Sequence, residues 1–145
     1  WERTETFEWL SRVNRTFLKR FGPVVPRLEL LRVRHAGKAW GGVATFDGNA
    51  GLVSDFTSSH GTPLIISEFR DADGRDAVMV VNNSQTQNTV AGITIRGAGR
   101  KVSRIAWEGE EETAPCCGLM VQPAEGGVSL SQWLAPGQME LYMLD

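Results

Sequence analysis

From Pro63 to the C-terminus, the chain consists of short apolar runs separated by turn residues. Turns recur about every eight to twelve positions, a spacing typical of antiparallel sandwiches and barrels. The strongest turn signals are Asp71-Ala72-Asp73-Gly74 and Pro136-Gly137, because Asp, Gly and Pro favour turn conformations. The candidate strands are 64–70, 77–82, 89–96, 102–107, 119–122, 128–130 and 139–144. We therefore predict a mainly β fold, an antiparallel, Greek-key-like β-sandwich of about seven or eight strands.

Residues 4–21 show a helical period instead. Phe7, Leu10, Val13, Phe17 and Phe21 recur at steps of three or four residues, which predicts an N-terminal amphipathic helix. A threonine at position 4 or 6 is suited to cap its start, and the Gly-Pro pair at 22–23 ends it. The apolar segment 24–31 is expected to add a helical turn or two, and residues 32–35 to enter a first strand.

The pattern divides the chain at residue 36. Residues 1–36 are predicted to form a helical connector, and residues 37–145 the antiparallel sandwich domain. Within that domain, residues 37–63 contain six glycines and few sustained apolar runs. We expect a long irregular loop there, with one or two short strands. Such a long loop is uncommon in a compact domain unless it is functional or packs through its own aromatic side chains.

The charge of the chain is unevenly distributed. The formal net charge is −2, but residues 1–38 carry +5 and the remainder −7. A nucleic-acid partner is not expected, because binding to phosphates needs a clustered excess of Lys and Arg. The simplest interpretation is a basic helix that is solvated on one face or rests on its own acidic sandwich. No apolar run reaches the roughly 20 residues that span a bilayer, so we expect a soluble chain without a membrane partner.

Neither the cysteines nor the histidines indicate a metal or a cofactor. Cys116 and Cys117 are adjacent, which favours two reduced, partly buried thiols over a strained vicinal disulfide. His35 and His60 each lack a second His or Cys nearby, so no zinc site is expected. The cysteines leave the compartment undetermined, and a secreted or periplasmic location is compatible with them.

The acidic residues also have simple structural explanations. Glu68 and Glu140 are the only acids inside the candidate strands. We expect Glu68 to pair with Arg70 or to face solvent, and Glu140 to lie on the solvent face of the last strand. The aspartates at 71, 73 and 76 lie in or beside a tight turn without the remaining ligands of a calcium loop. No catalytic residue is therefore predicted in this chain.

Three segments of the chain together resemble a known architecture. They are residues 9–31, which begin with WLSRVNR and continue through Phe21-Gly22-Pro23, residues 68–82 (EFRDADGRDAVMVVN) and residues 134–144 (LAPGQMELYML). The first is similar to the closing helix of a (β/α)8-barrel glycoside hydrolase, and the other two resemble a hairpin and the last strand of the C-terminal β-sandwich in such enzymes. The resemblance covers most of the chain except the long loop.

The resemblance implies a structural role and no catalytic activity for this chain. The catalytic carboxylates of these enzymes lie on barrel strands, which this chain does not contain. It implies a non-catalytic C-terminal accessory domain that packs beside an upstream catalytic domain of the same polypeptide and stabilises it. The fragment itself is then not an enzyme, and Phe7, Leu10 and Phe17 are the expected interdomain residues.

The tryptophans support an alternative function, a carbohydrate-binding module. Exposed indole rings stack on the apolar faces of sugars at a low entropic cost. Trp40 in the long loop and Trp133 before the last strand are the candidate carbohydrate-binding residues, with a polysaccharide as the partner. Packing in a core or an interface is the competing explanation for both side chains.

Overall fold

Ten strands and one long helix make up the part of the chain that the structure describes. A computed structural model describes residues 3–39 and 41–145. Helix α1 spans Glu5–Phe21, and 3₁₀ turns lie at Val25–Arg27 and Ser59–Gly61. The strands are β1 (Leu28–Ala36), β2 (Val53–Ser58), β3 (Leu64–Asp71), β4 (Asp76–Asn82), β5 (Thr89–Arg96), β6 (Val102–Ile105), β7 (Glu111–Thr113), β8 (Met120–Ala124), β9 (Gly127–Leu134) and β10 (Met139–Leu144).

The strands form two antiparallel sheets. One sheet has the order β1-β3-β4-β10-β6-β7, and the other has the order β2-β5-β9-β8. Alternate side chains of both sheets point inwards and form one buried core, which includes Ile66, Val80, Ile93, Leu130 and Leu144. The predicted fold class, a mainly β antiparallel sandwich with an N-terminal helix, is confirmed. The described residues hold more strands than the seven or eight expected; of the additional ones, β7 lies in a segment for which no strand was predicted.

The outer face of the six-stranded sheet is covered in part. Phe21 at the end of α1 packs there with Ala77 of β4, Ile105 of β6, and Leu141 and Met143 of β10. These strands are therefore buried on both sides, with their other face in the main core. This explains why they show continuous apolar runs instead of a clean alternation.

The predicted helical turn over residues 24–31 is wrong beyond Arg27. Leu28–Ala36 is an extended strand that pairs with β3 along its length, with a register shift between Leu30 and Arg32. The open edge of β3 supplies backbone partners to this segment, and tertiary pairing outweighs the helical pattern of its leucines. The residues that we assigned to the end of the connector are thus part of the six-stranded sheet. Within the long loop, Val53–Ser58 is a strand that pairs with β5.

Helix α1 forms as predicted. Thr4 caps it by accepting a hydrogen bond from the Phe7 amide at 3.2 Å. Glu5 and Glu8 lie in its first turn and Lys19 and Arg20 in its last, which favours the helix dipole. It ends at Phe21, where the Gly22 amide still donates to the Leu18 carbonyl. None of the helices among the described residues has the length and hydropathy required to cross a bilayer.

Candidate docking site

Most of the apolar face of α1 is exposed. Two of its residues, Arg20 and Phe21, are buried. The side chains of Phe7, Leu10 and Phe17 are 51%, 49% and 38% exposed, although they share one face of the helix. Val13 shares this face, and Trp9 and Leu18 flank it on opposite sides of the helix; all three are also exposed. We refer to these six side chains, Phe7, Trp9, Leu10, Val13, Phe17 and Leu18, as the docking face.

Arg20 attaches the last turn of α1 to the sandwich. Its Nε and Nη2 donate to the Ile105 carbonyl at 3.0 and 2.7 Å, and its Nη1 donates to the Met139 carbonyl at 3.3 Å. Nη2 also contacts Glu140 Oε2 at 2.5 Å. The guanidinium lies 4.5 Å from the ring centroid of Trp107 and 4.7 Å from that of Phe21. Every guanidinium nitrogen of Arg20 thus has a partner, as burial of a charge requires.

The prediction that Glu140 faces solvent is wrong. Its exposure is 0%, because it lies on the inner face of the central strand β10, on the same side as Tyr142 and Leu144 of the main core. Oε1 accepts a hydrogen bond from Gln138 Nε2 at 2.9 Å, and Arg104 Nη1 lies 3.6 Å from Oε2. This carboxylate is enclosed between Arg20 and Arg104, so its role is structural.

The prediction for Glu68 is also wrong. Glu68 is buried and accepts a hydrogen bond from the Val53 amide at 3.1 Å, which anchors the start of β2. The nearest cation is Arg32 at 3.6 Å, whereas Arg70 pairs with Asp76 at 2.8 Å. Gly51 lies so close that an added Cβ would meet the Glu68 carboxylate at 2.4 Å, and its φ of +100° also favours glycine.

The charged contacts continue from Glu140 to the cysteines. Arg104 Nε donates to Glu112 Oε2 at 3.0 Å, and this hydrogen bond holds the pKa of Glu112 below its ordinary value. Cys117 Sγ lies 3.5 Å from the same carboxylate. Both cysteines are free thiols. Cys116 is half-buried, as predicted, and burial raises its pKa, whereas Cys117 is exposed, so the predicted partial burial is wrong for Cys117.

A groove borders the docking face at its C-terminal end. Its volume is about 360 Å³. Val13 and Phe17 of the docking face line it on one side, and Trp107 and the turn from Pro136 to Met139 line it on the other. Trp107 lies just beyond β6 and is 54% exposed. The strand predicted over residues 102–107 ends instead at Ile105, which leaves Trp107 beside the groove. An aromatic residue directly before the acidic segment 108–112 was a sequence signal for this position.

The predicted carbohydrate-binding residues are not brought to the docking face. Trp133 lies on the outer face of the four-stranded sheet, opposite Val90 of β5, and is 53% exposed. The end of α1 packs on the other sheet, so Trp133 and the docking face belong to opposite sides of the sandwich. Trp40 lies outside the described residues.

The aspartates of the β3–β4 turn are paired with arginines. Asp71 contacts Arg75, Asp73 contacts Arg27, and Asp76 contacts both Arg70 and Arg100. Across residues 3–39 and 41–145, no group of three or more His, Cys, Asp or Glu side chains is arranged to hold a metal ion.

Comparisons of the chain with protein-family models, with curated proteins and with solved structures gave no match. The function is therefore argued from the exposed surfaces of the chain itself.

Proposed function

We propose that this chain is a non-catalytic C-terminal accessory domain of a glycoside hydrolase, and that the docking face of α1 packs against the catalytic barrel of the same polypeptide. The observation that carries the proposal is the exposure of six large apolar side chains on one helix. Large apolar side chains exposed together in this number are uncommon on an isolated domain and mark an interaction site. The helix is about 25 Å long, enough to lie along a neighbouring barrel helix.

The rigid attachment of α1 supports this role. Arg20 and Phe21 fix the last turn of the helix to the sheet, and Lys19 forms an ion pair with Glu108. The position of the docking face relative to the sandwich is thereby set. A barrel that covers this face would in turn hold the whole sandwich beside it.

The acids of the chain support a non-catalytic role. Glycoside hydrolysis uses two carboxylates that face each other across an open cleft, about 5–10 Å apart. Glu68 and Glu140 are both buried and lie against arginines, so neither is available to a substrate. The chain is accordingly proposed to stabilise and orient the catalytic domain, without turnover of its own.

The reading frame in the source DNA provides the first test. We expect it to continue upstream of Trp1 and to encode a (β/α)8 barrel of roughly 250 residues or more. A frame that opens at this chain, or that encodes an unrelated upstream domain, would overturn the proposal.

Variants of the complete polypeptide provide the second test. Leu10→Asp together with Phe17→Asp should lower the melting temperature of the catalytic domain, because a charge would be buried in the interface. Trp133→Ala, on the opposite side of the sandwich, serves as the matched control and should leave it unchanged. Equal melting temperatures for both variants would reject the docking face as the interface.

The exposed Trp133 favours a second candidate, a carbohydrate-binding module. A half-exposed indole on a sheet face offers a stacking surface for a sugar ring. This candidate predicts that the isolated chain is retarded in affinity electrophoresis through a polysaccharide gel, and that Trp133→Ala abolishes the retardation. Unretarded migration through a broad set of polysaccharides would reject it.

A further inference from the structure

A second cavity shares the Pro136–Gly137 turn with the groove. Its volume is about 680 Å³, which is within the range of small-molecule sites. The turn forms one wall, and the loop that follows β4 forms the other. The lining residues are Pro63, Val81, Asn82, Asn83, Ser84, Gln85, Thr86, Pro136 and Gly137.

The walls of this cavity are held together by one buried side chain. Asn82 has 0% exposure, and its Nδ2 donates to the carbonyls of Gln87, Leu134 and Ala135 at 2.8, 3.3 and 3.0 Å. Its Oδ1 accepts a hydrogen bond from the Ser84 amide at 3.0 Å. Asn82 therefore braces both the loop and the turn, so the cavity has a fixed frame.

Some polar groups of the loop stabilise its conformation, and others remain available to a ligand. Ser84 Oγ accepts hydrogen bonds from the amides of Thr86 and Gln87 and is thus used to shape the loop. The side chains of Asn83, Gln85 and Thr86 make no hydrogen bond to any other residue that the structure describes. They offer two amides and a hydroxyl, which donate as well as accept hydrogen bonds.

The chemistry of the lining defines the class of ligand. Among the described residues, no charged side chain lines the cavity, so a charged ligand would lose hydration without gaining an opposite charge. Pro63, Val81 and Pro136 provide an apolar surface next to the polar groups. A neutral saccharide presents the same combination, hydroxyl groups around an apolar C–H face.

We propose that this cavity, framed by Asn82, is a binding site for a neutral oligosaccharide, with Asn83, Gln85 and Thr86 as the side chains that contact it. The site is independent of the docking face and differs from the Trp133 surface. If this cavity binds no oligosaccharide, the proposed accessory role is unaffected.

Titration of the 145-residue chain, followed by amide ¹H–¹⁵N NMR, tests the proposal. The probes are the hexaoses of cellulose, xylan, mannan, starch, laminarin and chitin, with oligogalacturonate as a charged comparison. At least one neutral hexaose should shift the amide signals of residues 83–86 and 137, and oligogalacturonate should not. If no neutral hexaose causes a shift at about 10 mM, or if oligogalacturonate shifts these signals equally, the proposal is overturned.

Two variants test where the oligosaccharide binds. Asn83→Ala together with Gln85→Ala should weaken binding about tenfold or more, because two hydrogen bonds are lost. These side chains are at the surface of a loop, so an unchanged amide spectrum elsewhere verifies the fold. Trp133→Ala is the matched control and should keep its affinity. Loss of binding in the Trp133 variant alone would assign the sugar to the sheet face and contradict the cavity as its site.

Discussion

Arg20 determines how α1 leaves the sandwich. A guanidinium removed from water costs several kcal/mol unless its donors are paired, and this one is paired with two backbone carbonyls and Glu140. Phe21 and Trp107 flank it with aromatic surface. The partners come from residues 85 to 120 positions away in the sequence, so a single side chain connects the N-terminal helix to the last strands.

We predict that Arg20→Ala lowers the free energy of unfolding by about 3–5 kcal/mol, since Glu140 is left buried without its closest cation. Lys19→Ala is the matched control. Its ion pair with Glu108 is solvent-exposed on both sides, and exposed pairs contribute about 1 kcal/mol or less. Urea denaturation of the two variants measures both values. Equal losses of unfolding free energy in the two variants would show that the buried Arg20–Glu140 pair stabilises the fold no more than the exposed pair does.

Arg75 makes the stability depend on acid pH. It contacts Asp71 at 3.1 Å and Glu111 at 2.6 Å. Burial alone would raise the pKa of Asp71, but hydrogen bonds from Arg75 and from the Asp73 amide lower it below 3.8. The hydrogen bond from Arg75 lowers the pKa of Glu111 below 4.5. Both carboxylates therefore contribute stability above their ordinary pKa values and lose it as pH falls through the folded values.

The variant Arg75→Gln tests this dependence. At pH 6 it should be less stable than the parent chain by about 1 kcal/mol, a value reduced by the partial exposure of Glu111. The difference should shrink as pH falls from about 5 to about 2, because both carboxyls become protonated in the two proteins. Melting temperatures recorded across this range measure it. A difference that stays constant with pH would contradict the proposed ion pairs.

At the scale of elements, α1 combines two functions along its length. Its last turn belongs to the small apolar cluster on the six-stranded sheet, whereas the preceding turns present the docking face. The stability of the isolated chain should therefore depend on only one end of the helix.

We predict that Phe7→Ser together with Leu10→Ser changes the free energy of unfolding by less than about 1 kcal/mol in the isolated chain, because neither side chain is buried. Phe21→Ala should cost about 3–5 kcal/mol, since it removes a buried aromatic ring. Urea denaturation of the double variant and of Phe21→Ala measures the two changes in unfolding free energy. A large loss in the double variant would mean that the docking face packs on the sandwich itself.

The elements with a clear period were predictable from sequence. The helix of residues 5–21 and strands such as 89–96 follow their patterns because each has one buried face. Residues 32–35 were correctly expected to enter a first strand, but the start of β1 was misassigned because its leucines suit a helix locally and its pairing with β3 is non-local. A short strand was expected within residues 37–63, but the position of β2 was not predicted because the strand is short and follows a glycine-rich segment, and its partner β5 begins more than 30 positions later.

The candidate sites were only partly predictable. The apolar face of α1 follows from spacing alone, which is why Phe7, Leu10 and Phe17 were identified. Glu140 shares the inner face of β10 with Tyr142 and Leu144, but both faces of this strand are apolar, so alternation alone could not distinguish the inner face from the outer one. The partners of Glu140, Arg20 and Arg104, are also distant in sequence. The cavity beside Asn82 is formed by two separate turns, and composition does not indicate their proximity.

At the scale of the whole molecule, the two sides of the sandwich differ. The outer face of the six-stranded sheet receives the end of α1 and the groove beside Trp107, whereas the outer face of the four-stranded sheet carries Trp133. The basic helix and the acidic sandwich meet through the pairs of Lys19 and Arg20. This asymmetry is what a domain attached on one side to a larger partner requires.

Hydrogen–deuterium exchange of α1 tests the central claim most directly. The amides of residues 9–18 are compared in the 145-residue chain and in the complete natural polypeptide. If a catalytic barrel covers the docking face, these amides should exchange at least tenfold more slowly in the complete polypeptide, while strands in the sandwich core exchange equally in both. Identical exchange of α1 in the two proteins would contradict the account.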